Sequence, residues 1–191
     1  TDSGKETDDW LTVKSENFEG AFPGEWDILG NPTWDDEPQK YRTGEWGGYC
    51  CDGGTRRVVY PGPYPTDFRA WMTYGPFSMS GCDTGYVRFY RWLDCESTYD
   101  YLYVGYSTNG TEFSGFRESG RHRSWQSKAL SLEPVAGQSQ VWIGFLFNSD
   151  GSVTDTGAVL DDILVRKRTV PPPSRLMLLP DDLWKSTSQD T

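Results

Sequence analysis

The strongest signal along the chain is alternation. In Val141-Trp142-Ile143-Gly144-Phe145-Leu146-Phe147 every second residue, Val, Ile, Phe and Phe, falls on one side of an extended segment, the period-two signature of a half-buried strand. The same pattern, enriched in β-branched and aromatic residues, runs through Tyr86 to Leu93, Tyr101 to Ser107 and Ala158 to Val165. Weaker cases are Arg56 to Tyr60, Trp71 to Met79 and Trp125 to Leu132. Turn signals such as Asn109-Gly110, Gly53-Gly54 and Ser149-Asp150-Gly151 lie between these runs. No segment supports a helix longer than a turn or two, and no internal repeat is present. Short strands separated by Gly, Pro and Asn turns predict an all-β protein, an antiparallel β-sandwich of jelly-roll type. The polar residues 1–15 and the Pro-rich residues 169–191 read as extended N- and C-terminal tails around a sandwich over 16–168.

Composition says how such a sandwich fills its core. Nine Trp, eleven Tyr and nine Phe in 191 residues, with a mean hydropathy of -0.66, imply burial through large rings and exclude a disordered chain. The length favours one domain. With 28 acidic against 18 basic residues the net charge is -10, and no basic cluster reverses it, which argues against nucleic acid as a partner. No apolar run approaches the roughly 18 residues of a membrane span, so none is expected. The opening at Thr1, without a Met or an apolar leader, is read as that of a soluble, processed chain.

Cys50, Cys51, Cys82 and Cys95 suggest an oxidising compartment. Cys82 and Cys95 flank a strand whose ends are roughly 23 Å apart at about 3.3 Å per residue, too far to bridge. At most one long-range bridge is expected within the chain; the other thiols are buried and reduced, joined in a vicinal bridge, or used between chains.

A longer pattern resembles a known family. Asn17-Phe18-Glu19-Gly20, Tyr64-Pro65, Trp71-Met72-Thr73-Tyr74-Gly75-Pro76-Phe77, Trp92-Leu93-Asp94 with Glu96, Tyr99-Asp100-Tyr101-Leu102-Tyr103-Val104 and the closing Asp161-Asp162-Ile163 resemble the C-terminal jelly-roll domains of secreted bacterial peptidases of the immune inhibitor A family, and more distantly MAM-type domains. The resemblance implies an extracellular, calcium-stabilised sandwich without catalysis of its own. The vicinal Cys50-Cys51 and the tail after Arg168 depart from it.

Calcium takes six to eight oxygen ligands. Glu19 and the Asp161-Asp162 pair fit, because the first and last strands of the inferred fold run side by side, and bare acids in an apolar closing strand are costly to bury. Alternation sends Asp161 and Asp162 to opposite faces, leaving open which one binds. Asp94, Glu96 and Asp100 form a second acidic group that Asp150 and Asp155 can approach, with a polar hairpin loop as the alternative. For catalysis the chain offers one histidine, His122, between two arginines, and no His-Glu-x-x-His or Gly-x-Ser-x-Gly motif; no enzymatic activity is expected. Trp34, Trp46, Tyr49, Tyr60 and Tyr64, in Gly/Pro-rich surroundings, offer a sugar-stacking platform or core packing.

Leu176-Met177-Leu178-Leu179 is an apolar run inside the Pro-rich tail and can add a strand to a second copy, or fold back on its own sandwich. Two expectations follow. One is a structural subunit of an extracellular homopolymer, a filament or surface assembly, joined through its tail. The other is an accessory module of a secreted hydrolase that binds carbohydrate or a cell surface.

Overall fold

The computed structural model describes residues 9–170. The tail run Leu176 to Leu179, on which self-assembly was expected to rest, lies outside them. Eleven strands follow in order: β1 (Trp10–Glu16), β2 (Asp27–Leu29), β3 (Thr33–Glu37), β4 (Gly47–Gly53), β5 (Arg69–Phe77), β6 (Cys82–Asp94), β7 (Tyr101–Ser107), β8 (Ser114–Glu118), β9 (Arg121–Ser131), β10 (Val141–Asn148) and β11 (Gly157–Thr169). A 3-10 turn at Glu133–Val135 separates β9 from β10. Among the described residues no helix is long and apolar enough to cross a membrane.

The strands form two antiparallel sheets, in orders β3-β4-β11-β6-β9 and β2-β5-β10-β7-β8. β4 pairs with the start of β11 through Val159 and Leu160, and β1 with its later half, where Glu16 faces Ile163. First and last strands therefore lie side by side, as the acidic pairs required. β1 also starts at Trp10, so the sandwich begins inside the segment read as tail: β11 runs to Thr169 and offers β1 a free edge.

Alternation decides the core. Val141, Ile143, Phe145 and Phe147 of β10 point inward and are buried, as do Ala70 and Met72 of β5 and Val87 and Phe89 of β6. Phe89 meets Phe145 edge to face at 5.1 Å, joining the sheets through rings. The segment Arg56 to Tyr60 is not a strand. Val58 donates its N–H back to Cys51 at 2.9 Å and Arg57 pairs with Asp52, so the chain folds over β4 instead of extending. All four cysteines are buried free thiols, with the Sγ atoms of Cys50 and Cys51 3.5 Å apart.

Candidate functional site

The expected carboxylates fall into two places. Glu19 Oε1 accepts the N–H groups of Glu45 and Trp46 at 2.8 and 2.9 Å. Asp161, fully buried, accepts those of Arg42 and Thr43 through Oδ2 and that of Asp162 through Oδ1. Burial pushes its carboxyl up, against these three donors. The acid in the apolar strand is thus met by backbone N–H groups, a solution the sequence reading did not foresee. Nor do Asp161 and Asp162 diverge: the β11–β6 register shifts after Asp161, Asp162 takes φ +50°, and its carboxylate also reaches Arg42 and Thr43. Glu19 and both aspartates together hold residues 42–46.

The second place lies where β6 leaves its sheet. Oxygens of Glu96, Asp100 and Asp150 lie within 4.8 Å of one another. Asp100 is buried, accepts the hydroxyl of Tyr64 on Oδ2 and the N–H of Asp150 on Oδ1 at 2.7 Å, and burial raises its pKa. Glu96 keeps a buried Oε2 that has no hydrogen-bond partner among the described residues. Lost hydration, then the charges of Asp150, Asp100 and Asp155, push its carboxyl up. Asp94 does not belong to this group, because Arg121 and Arg123 hold it. Asp155 pairs with Arg121. His122 is exposed, with Nε2 3.1 Å from the Ser119 carbonyl.

Of the two roles open to these aromatics, the structure gives core packing and not the sugar-stacking platform. Trp34, Tyr49 and Tyr64 are fully buried and present no ring face to a ligand. Trp34 donates to the Ala70 carbonyl at 2.9 Å, Tyr49 to that of Thr156 at 2.7 Å, and Tyr64 supports Asp100, so each polar tip is satisfied inside. Trp46 and Tyr60 are half-buried and pack against the core.

A different aromatic surface exists on the outer face of the β2-β5-β10-β7-β8 sheet. Register aligns Leu29, Trp71, Leu146, Tyr103 and Arg117 in one row across all five strands. In the next row Gly144, Gly105 and Gly115 stand abreast, leaving β10, β7 and β8 bare of side chains at that level. Phe113 lies over that bare strip: a Cβ on Gly144 would meet its ring at 2.8 Å. The Asn109-Gly110 turn delivers it there, with Gly110 at φ +75° and Asn109 Oδ1 accepting the N–H groups of Thr111 and Glu112 at 2.9 Å. Phe113 and Trp71 stand 5.2 Å apart and form a ridge between two depressions. One, of about 410 Å³, is lined by Tyr103, Leu146 and Arg117; the other, of about 370 Å³, by Asp27, Leu29 and Thr73.

Trp71 was legible as a strand residue, but its alignment with Phe113 and the glycines depends on register, which no local pattern carries. No protein-family model matches the chain, and no curated protein does. Among solved structures the chain is similar to a cleaved adhesin domain of Lys-gingipain from Porphyromonas gingivalis, with 16% identity and a TM-score of 0.57 over 82% of this chain and 98% of that one. It is also similar to the xylan-binding CBM22-1 domain of Paenibacillus barcinonensis Xyn10C, with 13% identity and a TM-score of 0.55 over 84% and 97%. A CBM61 module solved with β-1,4-galactotriose gives 11%, 0.50, 79% and 98%. At these identities the likeness is one of fold, and the similar domains are binding and adhesin domains.

Proposed function

We propose that the protein is an extracellular, non-catalytic carbohydrate-binding module, and that its ligand lies on the outer face of the β2-β5-β10-β7-β8 sheet. One observation carries this: the Trp71–Phe113 ridge, flanked on both sides by open depressions, on a sheet face where three aligned glycines make room for the Phe113 ring. Flat rings offer large contact area at small entropic cost, and a site needs few polar groups besides. An open trough with a ridge suits a short chain of sugars rather than a single ring in a pocket. Xylan and galactotriose named for similar domains agree with an oligosaccharide ligand. The resemblance to C-terminal domains of immune inhibitor A type peptidases fits an accessory module carried beside a catalytic one.

The calcium implied by that resemblance finds its best-fitting residues in Glu96, Asp100 and Asp150, where a buried carboxylate oxygen lacks a partner among the described residues. A cation there would supply charge neutralisation and join the loops after β6 and β10.

Titration calorimetry on β-1,4-linked oligosaccharides tests the binding reading. Trp71→Ala is expected to weaken binding at least tenfold with the melting temperature within a few degrees of wild type. Binding unchanged in Trp71→Ala and Phe113→Ala would remove this face as the site.

A further inference from the structure

We infer that the groove selects oligosaccharides carrying an acidic sugar, whose carboxylate is met by Arg117; this rests on the carbohydrate reading above. Arg117 ends the cross-strand row on β8. It stands three strands from Trp71, about 14 Å at the usual spacing of about 4.8 Å between strands.

Its guanidinium is held without an acid. It lies over the Tyr101 ring at 4.1 Å and 5.8 Å from that of Tyr103, and Nη1 donates to the Tyr103 hydroxyl at 3.2 Å. Hydrogen bonding to Tyr103 and the neighbouring tyrosines raise its pKa further. Several other arginines of this acidic chain find carboxylates: Arg42 pairs with Asp162, Arg57 with Asp52, Arg123 with Asp94 and Arg168 with Asp83. Among the described residues Arg117 pairs with none, although the chain carries a net charge of -10. Two aromatic neighbours fix the plane of a cation that the surrounding surplus of acid does not neutralise.

That arrangement defines a ligand class. A guanidinium has five N–H donors in a rigid fork, and stacking on a ring leaves them in the plane. With one committed to Tyr103, the exposed remainder can take a carboxylate in two parallel bonds, a geometry that neutral hydroxyls do not match. The rest of the lining near Arg117 is apolar or aromatic, from Leu146, Phe116 and Tyr103. Asp27 sits at the far depression, so the trough is positive at one end and negative at the other and receives the chain in one direction. The net charge limits the number of acids: a polyuronate would be repelled by the molecule as a whole, whereas one acidic side group is not.

The test compares, by calorimetry at pH 7, a β-1,4-linked oligosaccharide, the same backbone with one uronic acid side group, and the methyl ester of that acid. The acidic ligand is expected to bind roughly fivefold to tenfold more tightly than the other two, with the advantage shrinking as salt rises from 0.05 to about 0.5 M because the contact is exposed. Arg117→Gln should bring the ratio of acidic to neutral affinity to about one, while Arg117→Lys retains part of it. If the acid and its ester bind equally to wild type in a Trp71-dependent way, this inference is overturned and the carbohydrate reading stands. If none of the three binds the folded protein, both fall.

Discussion

Tyr64 belongs to the core and still serves the surface. Its ring packs against Phe147 at 5.0 Å, while its hydroxyl donates to Asp100 and accepts the N–H of Glu96 at 3.1 Å. Residue type and loop-like surroundings gave the sequence reading no way to separate such a residue from an exposed stacking ring, since both need an amphipathic aromatic. The same bridging carries a prediction. With Asp100 fixed by Tyr64 and Glu96 Oε2 left without a partner among the described residues, millimolar calcium should raise the melting temperature in differential scanning calorimetry, and Glu96→Gln should abolish the rise. An increase that survives Glu96→Gln but disappears in Glu19→Gln would move the ion to residues 42–46. No increase at all would remove calcium from the account.

Among the elements, those half buried in the sheets were legible and those buried or exposed on both faces were not. β7 spans the residues its alternation predicted, and β10 differs by one at its end, because each has one face in the core and one outside. β4 is buried along its whole length, so Gly47–Gly53 shows no period, and β3 carries three consecutive acids in Thr33–Glu37, which leaves no apolar alternation to read. β8 is a short edge strand with too few apolar positions to register. Yet β8 shows strict alternation at one step, Arg117 outward to the groove and Glu118 inward, where it takes Arg91 Nε at 2.7 Å and Nη2 at 3.1 Å. Arg91 on β6 is 1% exposed, and Lys128 on β9 also reaches Glu118, so one carboxylate joins the two sheets at their edge. Burial alone would raise its pKa, but Arg91 and Lys128 outweigh that and hold it below the usual carboxylate range. Glu118→Gln leaves a buried guanidinium uncompensated and should cost roughly 3 kcal/mol in urea unfolding. A loss under about 1 kcal/mol would show that water reaches Arg91 and that the bridge is dispensable.

At the scale of the whole molecule, surplus acid is folded into places that hydrate it poorly, and the sequence showed the surplus without showing the burial. Glu37, Asp52, Glu96, Asp100 and Asp161 all have carboxyls raised first by burial. Asp35, beside Asp36, is pushed up from 3.8 to about 6 by burial, with its neighbour adding to it. An acid whose pKa is higher in the folded than in the unfolded chain binds more protons when folded, so stability falls as pH rises through the interval between the two values. For Asp35 that interval runs from 3.8 to about 6, and its cost is present in full above it. Glu118 and Asp83 act in the opposite sense, since arginines lower both, and their contribution disappears only as pH drops below the ordinary carboxylate range. The raised acids outnumber the lowered ones. In the presence of a chelator the melting temperature is therefore expected to climb between pH 7.5 and about 5 and to fall again at stronger acidity, with Asp35→Asn more stable than wild type at pH 7.5 and less responsive over that range. A melting temperature that declines steadily from pH 7.5 downward would mean that arginine-paired carboxylates, and not the buried acids, set the stability of the sandwich.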